Sequence, residues 1–128
     1  MENYHIRYSD TDLAYFSKII RTKINEAEES LAQLLDSLES SNDQTTSRIN
    51  GIDDYADYAD REFLYVMIAR QEKFIYQLEE ALRRIGNKTY GICSRTGKLI
   101  DKRRLLLVPH TTMSLEAKES RSRDSLAS

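Results

Sequence analysis

Four aspartates fall within eight residues: Asp53, Asp54, Asp57 and Asp60, interleaved with Tyr55, Ala56, Tyr58 and Ala59. Carboxylates at this density can meet basic groups on a partner or compete for a divalent cation, and they repel one another. One or two would suffice to stabilise the start of a helix, at about 0.3–1 kcal/mol each. Four exceed that need, so the cluster is a candidate contact site. A run of opposite sign, Lys98, Lys102, Arg103 and Arg104, offers contacts for acidic protein groups or a phosphate; a solvated surface explains it equally well. Cys93 is the one cysteine, which excludes an intrachain disulfide and an all-cysteine zinc site. It is expected to be buried and inert. His5 and His110 are too scattered to make a metal site with it. No Gly-rich phosphate loop, Ser/His/Asp pattern or Cys–His pairing is visible, so an enzyme is not expected.

Two long periodic segments must position these groups. Leu13, Phe16, Ile20, Ile24, Ala27, Leu31, Leu34 and Leu38 step by three and four, a heptad seam with one stutter. Ser9 or Asp10 can cap its start, with Asp12 in the first turn. The spacing predicts a helix over about 10–40, roughly 45 Å long at 1.5 Å per residue. Leu64, Ile68, Gln71, Ile75, Leu78, Leu82 and Ile85 repeat the pattern, with Gln71 the one polar residue on the seam. This second helix is predicted over about 57–85, with Asp54 a candidate N-cap. Arg83 and Arg84 complement its negative end, and Gly86 suits a left-handed cap. The polar stretch 40–51, with its Asn-Gly turn signal, joins the two. Neither helix can bury its own stripe, so the two fold back antiparallel and seal each other.

The chain has 128 residues, 19 basic and 21 acidic, for a net charge of −2. That argues against nucleic-acid binding through bulk charge. The balance hides a polarity. Residues 39–60 carry −5 and residues 83–104 carry +7. In an antiparallel hairpin these lie at opposite ends, a dipole some 40 Å long from the helix rise, which would orient docking on a charged partner. No apolar run approaches membrane-spanning length and the N-terminal residues lack a signal-peptide core, so a cytoplasmic protein is expected, as the lone free thiol also suggests.

After the hairpin, 89–93 and 98–100 could form short strands around a turn at Arg95-Thr96-Gly97. Leu105 to Val108 reads as a buried run stopped by Pro109, and a short helix is expected from about Thr112. Tyr90-Gly91-Ile92-Cys93, Gly97, Ile100, Arg104-Leu105, Val108-Pro109 and Thr112 resemble the C-terminal finger of the DksA/TraR family of RNA-polymerase-binding regulators. In that family the finger is a four-cysteine zinc site. The matching positions here are Cys93, Thr96, Ser114 and Ala117, three of which supply no thiolate, so zinc is not expected. The apolar residues Ile92, Leu99, Ile100, Leu105, Leu107, Val108 and Met113 are then candidates for a small core over Cys93, and Arg104 for support of its packing. The family's tip motif, Asp-x-x-Asp-x-Ala, is matched by Asp54, Asp57 and Ala59, with Asp53 and Asp60 alternatives.

The expected fold is mainly α. A coiled-coil hairpin (1–86, with a polar, acidic tip at about 41–60) precedes a degenerate zinc-finger-like end with a short helix (87–120) and an unstructured tail (121–128). The resemblance implies a monomeric transcription regulator. Its hairpin would enter the secondary channel of bacterial RNA polymerase, bringing the tip near the catalytic centre, and some family members respond to ppGpp. Two other classes remain open on the residues alone. One is a coiled-coil adaptor or homo-oligomer without a role in transcription. The other, direct DNA binding through the +7 stretch, is disfavoured by overall acidity and the lack of a recognition helix.

Overall fold

The computed structural model describes residues 7–46 and 51–127, and side chains over 7–42 and 58–123. Four helices follow in order: α1 (Asp10–Thr46), α2 (Gly51–Gly86), α3 (Lys102–Leu107) and α4 (Leu115–Ala127). The fold is mainly helical, with α1 and α2 forming the expected hairpin. Ser9 is the residue that starts α1: its Oγ accepts from the Asp12 N–H at 3.1 Å and its carbonyl from the Leu13 N–H at 2.9 Å. Helix α1 runs six residues past the predicted end, because nothing in Ser41–Thr46 breaks a helix. Helix α2 starts at Gly51, so Asp54 lies within the helix and is not its cap. Of the polar connection, 47–50 lie outside the described residues.

The chain divides into two compact units, Lys23–Tyr76 and a second one made of residues up to Thr22 together with Gln77 onward. In the first, the seam is as predicted. Ala27 and Ile68 are buried, and Ile24, Leu31, Leu34, Leu38, Leu64 and Ile75 are half-buried. Gln71 also faces the seam, and its Nε2 donates to the Ala27 carbonyl at 3.3 Å. That bond satisfies a backbone acceptor across the pair and fixes the register of one helix on the other.

In the second unit, Leu13, Phe16, Ile20, Leu78 and Ala81 close the base of the hairpin, each almost inaccessible to solvent. The finger adds Tyr90, Cys93, Ile100 and Leu105, equally buried. Phe16 is the hinge of this core: its ring lies 5.5 Å from that of Tyr90 and 6.1 Å from that of Tyr8. Tyr90 donates to the Pro109 carbonyl at 2.8 Å, and Tyr8 donates to the Ile100 carbonyl 92 residues away. Gly91 sits at φ +80, where a Cβ would lie 2.6 Å from the Tyr8 ring. Only glycine meets both demands.

Several local expectations are corrected. Gly86 is the last helical residue, and the left-handed position after α2 is Lys88 at φ 66. The two short strands reduce to one antiparallel bridge, Ile92 to Leu99, among the described residues. The loop between them closes within six residues, and Gly91 and Gly97, both at positive φ, flank the bridge, so no ladder propagates. Leu105–Val108 is not a buried run. Asp101 caps α3 by accepting from the Arg103 N–H at 2.7 Å, and the resulting helix buries Leu105 while leaving Leu106 and Leu107 exposed. Leu107 is therefore outside the finger core it was expected to join. The C-terminal residues from 121 to 127 are helical, part of α4 rather than an unstructured tail.

Candidate functional site

The finger is built around one sulfur. Cys93 and Lys98 bracket a tight loop: the Cys93 N–H donates to the Lys98 carbonyl at 2.8 Å and the Gly97 N–H to the Cys93 carbonyl at 2.8 Å. The Ser114 N–H donates to Cys93 Sγ at 3.4 Å. Burial pushes the thiol pKa up, but the Thr96 hydroxyl and the backbone N–H groups of Ser114, Thr96 and Arg95 outweigh it and bring it down to about 6. Cys93 is buried as expected, at 1% exposure, and its hydrogen bonds favour the thiolate form.

The other three positions of the pattern each have a structural role. Thr96 Oγ1 accepts from the Lys98 N–H at 3.2 Å, beside its bond to sulfur. Ser114 starts α4, its Oγ accepting from the Ala117 N–H at 3.1 Å and its carbonyl from the Lys118 N–H at 3.0 Å. Ala117 turns a buried methyl inward. The Ser94 N–H donates to the Thr112 carbonyl at 2.8 Å, tying the two arms of the finger together.

The basic run serves two ends. Lys102 Nζ pairs with Asp12 at 3.1 Å and lies 5.8 Å from the centre of the Tyr8 ring. Arg104 is half-buried; its Nε donates to the Met113 carbonyl at 2.9 Å and its guanidinium to Thr111 Oγ1 at 3.3 Å. Arg104 thus ties the finger internally, while Lys102, and Lys88 through Asp10 at 3.0 Å, tie it to the start of α1. Lys98 and Arg103 are exposed, and Arg103 reaches Asp101 at a long 3.9 Å. The structure thus divides a run that reads as uniform in sequence. The sequence reading missed Tyr8, whose long-range bond no local pattern signals.

At the other candidate site, Ala59 and Asp60 are exposed on α2. The side chains of Asp53, Asp54 and Asp57 lie outside the described residues, as does His5. No helix is long and apolar enough to cross a membrane among the described residues.

A two-helix hairpin bearing a one-bridge knuckle and a terminal helix defines a hairpin-and-finger protein. The comparisons with known proteins give this class its family. Residues 88–123 match the prokaryotic dksA/traR C4-type zinc finger. Over 116 residues the chain is 32% identical to the RNA polymerase-binding transcription factor DksA of Caulobacter vibrioides, covering 90% of this chain and 79% of that protein, in each of two strains. The structure of transcription factor DksA2 from Pseudomonas aeruginosa matches with a TM-score of 0.80 at 24% identity, over 90% of this chain and 86% of that one, and shows the shared fold. The chain belongs to the DksA/TraR family.

That match corrects one expectation. The sequence reading left zinc out, whereas the finger matched is of the C4 zinc-binding type, so zinc is the rule for this family. Of the four positions of such a site, only Cys93 supplies a thiolate. Thr96, Ser114 and Ala117 bring no second thiolate, and no group of three His, Cys, Asp or Glu stands ready to hold a metal among the described residues.

Proposed function

We propose that this protein regulates transcription by binding bacterial RNA polymerase, with its hairpin in the secondary channel and its acidic tip near the catalytic centre. The observation that carries the reading is the 32% identity, spread over 90% of the chain, to a transcription factor named for binding that enzyme. The architecture supports it. Two paired helices measure roughly 20 Å across, from about 10–12 Å each, narrow enough for a channel that excludes a globular domain. The hairpin seam, with the Gln71 bond fixing its register, gives a stiff element able to carry a charge inward. The charge to be delivered is the aspartate group at 53–60, which would meet basic polymerase loops or act on the field around catalytic magnesium. Carboxylates so placed change the energetics of initiation and need no covalent chemistry of their own.

The test is a binding and transcription assay with purified cognate polymerase. Asp57→Asn removes one of the four carboxylate charges at 53–60. Polymerase affinity should stay within about twofold of wild type while the effect on initiation weakens several-fold. If Asp57→Asn and the matching Asp54 and Asp60 variants all keep full activity, the tip has no part in the mechanism.

A further inference from the structure

Apolar contacts along a helical seam carry little directional information. In the unit Lys23–Tyr76, Ile24, Leu31, Leu34 and Leu38 lie on the α1 seam and Leu64, Ile68 and Ile75 on the α2 seam, most of them half-buried. Sliding one helix by a turn brings another leucine or isoleucine into place and buries a similar area, so burial alone leaves several registers close in energy. Gln71 breaks that degeneracy. Its Nε2 donates to the Ala27 carbonyl at 3.3 Å, at the level of the two fully buried apolar residues described in this unit, Ala27 and Ile68. A hydrogen bond is worth most where water is excluded. Ala27 is also the smallest side chain on the α1 seam, and its seam neighbours are Ile24 and Leu31. After a slip of one turn the Gln71 amide would meet one of those two branched side chains and stay unpaired in a half-buried place, which costs stability.

We infer, on the polymerase reading above, that Gln71 is the positioning residue of the acidic tip: its bond to Ala27 sets how far the aspartates at 53–60 are carried. Helix α2 runs unbroken from Gly51 to Gly86, with no proline and no interior glycine, so a register set at Gln71 holds along its length. Asp57 lies fourteen residues from Gln71, about 21 Å along the axis. A slip of one turn displaces every aspartate by about 5.4 Å. A charge-assisted hydrogen bond forms within about 3 Å and does not survive such a displacement. The rest of the protein's surface keeps its contacts, so the slip removes the action of the tip and spares affinity. The bond is therefore retained for register, not for stability. An apolar residue at position 71 extends the seam and keeps the hairpin folded, and it also frees the register. Stability and function then move apart, which loss of an ordinary packing contact does not produce.

The experiment compares Gln71→Met, which keeps the shape and removes the donor, with Gln71→Lys, which restores a donor one atom further out. Register is read by pulsed electron resonance between nitroxides at Glu28→Cys and Glu62→Cys, both exposed in the same unit, in a Cys93→Ser background of full-length protein. Gln71→Met should melt within about 2 °C of wild type or above it, with a distance distribution broadened or shifted by up to about 5.4 Å. Its affinity for cognate polymerase should stay within about twofold while its effect on initiation falls several-fold, and Gln71→Lys should recover both distance and effect. A narrow distance unchanged in Gln71→Met overturns the register role. A shifted distance with full effect on initiation overturns the link to the tip. Parallel losses of melting temperature and effect that Gln71→Lys does not recover overturn the positioning role in favour of plain packing. If wild type has no affinity for polymerase, the proposed function fails and the link to the tip with it, while the distances still decide whether Gln71 sets the register.

Discussion

The unit containing the finger and the unit Lys23–Tyr76 are made from the same two helices, yet they are held in different ways. In the finger unit, the Tyr8 and Tyr90 rings pack on Phe16, both tyrosines donate long-range hydrogen bonds, and three ion pairs join Asp10 and Asp12 to Arg7, Lys88 and Lys102. Within Lys23–Tyr76, Ala27 and Ile68 are the only fully buried apolar residues among the described ones, while Tyr58, Phe63, Tyr65, Val66 and Tyr76 remain exposed. Two helices alone can each seal one stripe, and a third layer is needed to bury the rest. The finger supplies that layer to the base of the hairpin. The finger unit thus buries its large apolar residues in several layers, while the other unit leaves apolar surface exposed.

The sharpest way to break this contrast is to delete one large side chain from each unit. Phe16→Ala should cost about 3–5 kcal/mol, because it empties the centre of the aromatic cluster. Leu31→Ala, at a half-buried seam position, should cost at most about 2 kcal/mol. Urea unfolding of both variants measures the gap, and equal losses would show the two units to be alike in packing. Next in size is Tyr90→Phe, which leaves the buried Pro109 carbonyl without its donor and should lower stability by about 1–3 kcal/mol without enlarging a cavity.

The smallest effect is electrostatic. Lys88 and then Arg7 hold the Asp10 carboxyl below its ordinary pKa. A carboxyl depressed in the folded state stabilises it above the unfolded value, near pH 4, and loses that contribution as pH falls below it. Wild type should therefore lose more stability than Asp10→Asn between about pH 5 and pH 3. A parallel decline in the two proteins would remove this ion pair from the finger's support.

Much of this was legible in the sequence, for identifiable reasons. The seam residues from Leu13 to Ile85 repeat at helical spacing, and that period depends only on local geometry and burial. The finger positions could be matched because Gly91 and Gly97 have conformations few residues share. Leu105 to Val108 misled, because a short apolar run does not distinguish a buried strand from a helix, and the Asp101 cap decides it. The family's metal chemistry was judged from donor types at Thr96, Ser114 and Ala117, and the match to a C4-type finger overruled that judgement.

The residues themselves determined the helices, the hairpin and the opposite charges of its two ends, since periodicity and charge are properties of the chain. Only the folded structure decided which cations are engaged and which are available, that Tyr8 closes over Gly91, and that Leu107 faces outward. Those outcomes turn on groups as much as 92 residues apart, brought together by packing that no local pattern encodes.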